Sequence, residues 1–226
     1  MKEQLYIIIS LLAIVAYFVP ILIVLTKQLW KDRSVFLFAL YWLAGGLINL
    51  SDRIPGISYD VKMLMTVLYN MLDVPLLLLI FYYTTNSLQL KRFIKAITPV
   101  YIFIELVNSY FRGFGYESLK YVMGLGVIIA LVVITWEVLG YLKKMEHSSR
   151  EKAVIFIYAA MLFEYGTYIV IYIFDFYLTV DDSSNDTLLI YYISSLIGVS
   201  IASFGFLSKD LKKKPVRLFQ FENVKY

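Results

Sequence analysis

Three carboxylic acids sit deep inside apolar runs of this chain: Asp73, Glu105 and Glu164. Counted from the ends of their runs, each lies about ten or eleven residues in, which at 1.5 Å per residue puts all three in one layer near the middle of a bilayer. No Lys, Arg or His lies well inside any run. A carboxyl group without a cationic partner in hydrocarbon must be neutral, face water or hold a cation. One reading makes each a neutral acid hydrogen-bonded to its own helix, with Asn70 three residues before Asp73 and Asn108 three residues after Glu105 as partners. The three together point instead to a polar cavity, because a membrane helix buries an acid by aiming it into the bundle.

The surroundings fit a pocket. Tyr69, Tyr165 and Tyr168 stand beside the acids and can line an aromatic site for a small cationic or flat ligand, although packing explains them equally well. Pro75 removes one backbone hydrogen bond, so it is expected to kink its helix and to free a carbonyl near Asn70 or Met71. Ser194, Ser195, Ser200 and Ser203 offer hydroxyls, and Asn49 and Asp52 form a mouth or a cap. Glu137 and Asp175 lie nearer the interfaces. Tyr82, Tyr83, Tyr110, Tyr141, Tyr191 and Tyr192 occupy run ends, as an interfacial belt does.

Other chemistries are excluded by what the chain lacks. It has no cysteine, so disulfides, thiolate metal sites and cysteine nucleophiles are ruled out. Its one histidine, His147, sits in a basic loop, which removes histidine-ligated zinc and histidine-activated nucleophiles. No glycine loop that cradles phosphate is present. Acid–base chemistry by paired carboxylates survives, so an enzyme acting on lipid is an alternative, and the less favoured one.

The elements that must position the acids are apolar helices. With 60% hydrophobic and 17% charged residues, the 226-residue chain is far from a soluble composition. Seven runs stand out: 5–26, 35–50, 63–83, 94–110, 121–141, 153–178 and 188–207. Most approach the twenty or so residues that a spanning helix needs. The second carries Ala44-Gly45-Gly46, the fifth Gly126 and Ala130, and the seventh Ser194, Gly198 and Ala202, small residues that let helices approach.

Seven spans sort the basic residues, with 16 Lys and Arg in the alternate loops and tail on one side and 5 on the other. This predicts an all-α integral membrane bundle of seven transmembrane helices, N-terminus outside and C-terminus cytoplasmic, in the plasma (inner) membrane. Residues 1–207 form the bundle and 208–226 a basic tail. Connections of roughly ten residues make successive helices antiparallel neighbours. Besides the lipid bilayer itself, the tail's Lys212-Lys213-Lys214 is expected to meet anionic lipid, or a cytoplasmic partner through Phe219 and Phe221. The basic residues gather in no single face, so no nucleic acid is expected. Asn185-Asp186-Thr187 fits a glycosylation acceptor.

The run Asp73-Val74-Pro75-Leu76-Leu77-Leu78-Leu79 resembles the threonine-threonine-proline-leucine stretch in the third helix of microbial rhodopsins. The resemblance covers one helix and the topology. It would imply retinal on a lysine of the seventh helix, and the run 188–207 has no lysine, so no cofactor is expected. The favoured function is a receptor-like or sensory bundle whose midplane acids bind a small ligand or a proton. A proton- or cation-coupled transporter or channel is the main alternative, and an accessory subunit of a membrane complex another.

Overall fold

The structure is a computed structural model and describes residues 2–113, 116–177 and 184–212. Among these residues there are eight α-helices and no strand: α1 (Lys2–Tyr17), α2 (Val19–Thr26), α3 (Arg33–Ser51), α4 (Tyr59–Thr84), α5 (Leu88–Arg112), α6 (Tyr116–Leu142), α7 (Ser149–Tyr177) and α8 (Ser184–Leu207). The pair α1 and α2 is the first apolar run, interrupted at Phe18. Pro20 offers no amide to the Ala16 carbonyl, and the Phe18 amide bonds three residues back, to Val15, at 3.2 Å.

The helices outrun the apolar runs because polar residues cap them. Asp32 accepts from the Ser34 and Val35 amides at 3.1 and 3.3 Å, and Ser58 and Ser87 do the same for α4 and α5. Gly113, at φ 80° and ψ 177°, ends α5 in a positive-φ conformation that glycine adopts at no steric cost. The connections shrink accordingly: only residues 85–87 separate α4 from α5, against the ten or so expected from the apolar runs.

Six stretches are long and apolar enough to cross a membrane: Gln4–Thr26, Arg33–Ser51, Tyr59–Thr84, Lys120–Leu142, Ser149–Phe174 and Leu188–Leu207. The chain therefore has the make-up of a multi-pass membrane protein. Helix α5 is not among the six, since Lys91, Arg92, Lys95, Glu105 and Asn108 dilute it. It is nevertheless long, and it packs along both α4 and α6. Successive helices are neighbours, α4 also touches α6, and α8 returns to lie against α1 and α2, which closes the bundle.

Small residues are where helices meet most closely. A side chain added at Gly46 would lie 2.8 Å from Tyr17 Cβ, and one at Gly126 2.5 Å from the Tyr101 hydroxyl. Ala130 and Ala202 are completely buried. The central packing is aromatic: Phe81 stacks on Tyr158 at 5.2 Å, and Phe38 meets both rings edge-on.

The basic segments collect at one end of the bundle. There Arg150 pairs with Asp32, the cap of α3, and donates to the Leu211 carbonyl at 3.3 Å, while Lys27 donates to the carbonyl of Leu207. Lys144 pairs with Glu151. Arg150 and Asp32 are only 16% and 21% exposed, so screening by water is limited. Arg150→Gln is expected to lower stability by ~1–2 kcal/mol, read as a reduced unfolding temperature. Asp32→Asn, which keeps an oxygen to cap α3, should cost less.

At the opposite end Arg53 donates to Ser10 at 2.7 Å and lies over the Tyr6 ring, and Lys62 donates to the Asp52 carbonyl. Lys213, Lys214, Phe219 and Phe221 of the tail lie outside the described residues, as do the side chains of Lys212, Asp175, Asn185, Asp186 and Thr187.

Candidate functional site

Asp73 projects from the middle of α4 and meets α7. The Tyr165 hydroxyl donates to its Oδ2 at 2.7 Å, and the Tyr41 hydroxyl, from α3, donates to Tyr165 at 3.0 Å. The Tyr41 and Tyr69 hydroxyls approach the same carboxyl group. Neither satisfies its second oxygen: Asp73 Oδ1 is buried with no hydrogen-bond partner. A buried polar atom left in that state is uncommon and costs stability.

Glu164 stands one residue before Tyr165, and Trp42 one after Tyr41. The Trp42 indole N–H reaches both Glu164 oxygens, at 3.2 and 3.1 Å. Indole can only donate, so this bond uses Glu164 as an acceptor. Room for the glutamate comes from α8, because a Cβ at Gly198 would lie 2.5 Å from Glu164 Cγ and from Oε1. Consecutive residues of α3 thus hold consecutive residues of α7, and through them the acids of α4 and α7.

A second polar group adjoins this one toward the end opposite the basic loops. The Tyr17 hydroxyl donates to Ser195 at 2.8 Å and lies 3.2 Å from the Tyr191 hydroxyl. Asn49 reaches Tyr191 at 3.4 Å while donating to the Gly45 carbonyl at 2.8 Å. Five helices, α1, α3, α4, α7 and α8, therefore contribute side chains to adjoining hydrogen-bonded groups.

Glu105 is buried but stands apart, with the Tyr101 hydroxyl of its own helix beside it. No hydrogen bond joins it to Asp73 or Glu164 among the described residues. Asn108 is turned to α6, where it donates to the Ser118 carbonyl at 2.6 Å rather than to Glu105. Asn70 makes no hydrogen bond to Asp73. Tyr168 packs nearby, against Val67, Met123 and Tyr172, and faces Tyr69. Helix α4 continues across Pro75, which lies in a groove toward α5 rather than in the acid layer.

Chemically, the layer is a set of donors aimed at two carboxyl groups. Its nearest neighbours are hydroxyls, an indole and an amide, with no basic side chain among the groups that act on Asp73, Glu105 or Glu164. No group of three or more His, Cys, Asp or Glu able to hold a metal occurs among the described residues.

The chain matches no protein-family model, no curated protein and no solved structure.

Sequence reasoning passed over Tyr17, Tyr41 and Trp42, read Gly198 only as a place of close helix approach, and assigned Tyr191 to an interfacial belt. Trp42 carried a signal: it falls mid-run, where tryptophan, which prefers interfaces, needs a partner for its N–H. Tyr192 also turns inward, 6% exposed, with its ring edge against Tyr6.

Proposed function

We propose that this protein is a receptor-like or sensory seven-helix membrane bundle whose midplane acids, Asp73 foremost, exchange a proton and thereby change helix packing. The observation that carries the reading is Asp73 itself, held on one oxygen by the Tyr41–Tyr165 chain and buried without a partner on the other. Protonation turns such an oxygen from an acceptor into a possible donor, a change that the partners of Asp73 on α3 and α7 would feel. Tyr69, Tyr165, Tyr168, Asn70, Glu164 and, more distantly, Glu105 with Asn108 make up the proposed site. The layer is packed by side chains, which favours a proton over a bulkier cation as its ligand.

The topology belongs to the same proposal. Helix α5 is taken as the seventh span because it lies along α4 and α6 and its basic residues fall at the end where the other basic segments gather. The positive-inside rule then puts that end in the cytoplasm of a plasma (inner) membrane. Residues 1–207 form the bundle, with a short basic tail after it.

A transporter is less well supported. From the Asp73 layer toward the basic end, the next turns are filled by Phe38, Leu77, Leu78 and Phe81, all at most 1% exposed, and by Tyr158. Beyond them Thr85 donates to Glu137. An apolar plug of that kind interrupts any polar path.

The test is thermal stability in lipid nanodiscs from about pH 5 to pH 9. One group that exchanges a full proton on unfolding contributes a slope of up to about 1.4 kcal/mol per pH unit. Asp73→Asn is expected to flatten the wild-type profile by such a component, and Tyr165→Phe to displace it along the pH axis. An Asp73→Asn profile parallel to wild type throughout would remove the proton reading. A sodium- or amine-dependent stabilisation abolished by the same variant would replace the proton with a cation.

A further inference from the structure

Helices α4 and α5 do not close on each other along their outer side. A groove of about 580 Å³ runs between them, walled by Leu72, Leu76 and Leu79 on one side and Ile94 and Ile102 on the other. Two prolines face into it, Pro75 and Pro99. Each lacks an amide hydrogen and carries a ring where a longer side chain would fill the gap. The wall is hydrocarbon except at one end, where Lys95 and Thr98 line it. Thr98 is already committed, donating to the Ile94 carbonyl at 2.8 Å.

Lys95 is exposed and has no ion-pair partner among the described residues. It lies seven residues into α5, about 10 Å from the helix start, within reach of the headgroup region for a side chain that extends along apolar surface to place its ammonium in water. Lys91 and Arg92 sit one turn nearer the end of the helix, at spacings of four and three from Lys95, so they continue the same stripe. Tyr82 closes the groove at that level from α4. From Lys95 to Ile102 the groove runs another 10 Å or so toward the bilayer centre.

We propose that this groove binds one anionic phospholipid, its phosphate on Lys95 with Lys91 and Arg92 and one acyl chain laid between the two prolines. A basic group at the interfacial end of an apolar cleft between spanning helices is the arrangement that selects a charged headgroup while the chain occupies the cleft. The site is distinct from the basic tail and independent of the acid layer. It rests only on α5 being set across the membrane beside α4.

The test uses the full chain in nanodiscs containing equal amounts of phosphatidylglycerol and phosphatidylcholine, followed by native mass spectrometry of retained lipid. Wild type is expected to retain one phosphatidylglycerol in preference to phosphatidylcholine. Lys95→Gln should reduce that preference about fivefold, the equivalent of ~1 kcal/mol for one basic residue at an anionic surface. Leu79→Trp, at a position already 44% exposed, fills the groove and should lose the retained lipid of either headgroup. An unchanged preference in Lys95→Gln, or full retention in Leu79→Trp, overturns the site.

A second measurement needs no variant. Phosphatidylglycerol with a photoreactive acyl chain should label wild-type peptides around residues 72–79 and 94–102. Labelling of α5 only on residues outside the groove overturns the lipid site but leaves α5 in the membrane. Absence of label anywhere on α5 overturns its membrane placement as well.

Discussion

Trp42→Ala is expected to destabilise the bundle by ~3–5 kcal/mol, the range for deleting a large, fully enclosed aromatic side chain. Trp42 is 0% exposed and meets Tyr41 and Phe206 edge-on at 5.8 and 5.9 Å. Part of the cost is the void. The rings packed around it lose their contacts outright. The remainder is chemical: Glu164 loses the donor that meets both its oxygens. Trp42→Phe separates the two by keeping most of the volume while removing the N–H. It should cost ~1–3 kcal/mol, the range for a buried acceptor left unsatisfied. Chemical or thermal unfolding in a fixed lipid mixture measures both variants. A Phe variant as stable as wild type would mean that Glu164 finds another donor, and that the tryptophan serves packing alone.

Gly205→Ala should lower stability by ~1–3 kcal/mol, although alanine is the better helix former by about 1 kcal/mol. The reason is geometric. A Cβ at Gly205 would stand 2.7 Å from the Ala153 backbone carbonyl and 3.0 Å from Ile157 Cγ1. A backbone carbonyl within a helix cannot swing aside, so α8 must move off α7. Gly166 provides the control, since a Cβ there meets nothing within 4 Å. Gly166→Ala should be neutral or stabilising by up to ~1 kcal/mol. Equal effects at the two glycines would show that helix propensity, not contact between α7 and α8, governs these positions.

Hydrophobic run length pointed to helical stretches, although the first run is divided between α1 and α2 at Phe18 and α5 is not among the six stretches apolar enough to cross a membrane. Helix ends were less legible, since Asp32, Ser58 and Ser87 extend helices by hydrogen bonds that hydropathy does not register. The acids were legible as unusual residues, but their partners were not. Asp73 is held by Tyr165, 92 positions away, and not by Asn70 on its own helix. Periodicity describes neighbours along one helix, whereas this layer is built by contacts between helices, and only the packing of α3 against α4 and α7 reveals them. Gly198 illustrates the same point: small-residue spacing marked it as a place of close approach, while the structure gives it a polar occupant, Glu164.

The return of α8 against α1 also fixes when the polar layer can come into being during synthesis. Tyr17 and its acceptor Ser195 are separated by 178 positions, and Lys27 donates to a carbonyl 180 positions later. The opening helices must therefore wait, the Tyr17 hydroxyl without its Ser195 partner, until α8 has been made. Contacts of such separation form late. A nascent chain stalled before residue 184 would leave the Tyr17 hydroxyl without the acceptor that α8 supplies.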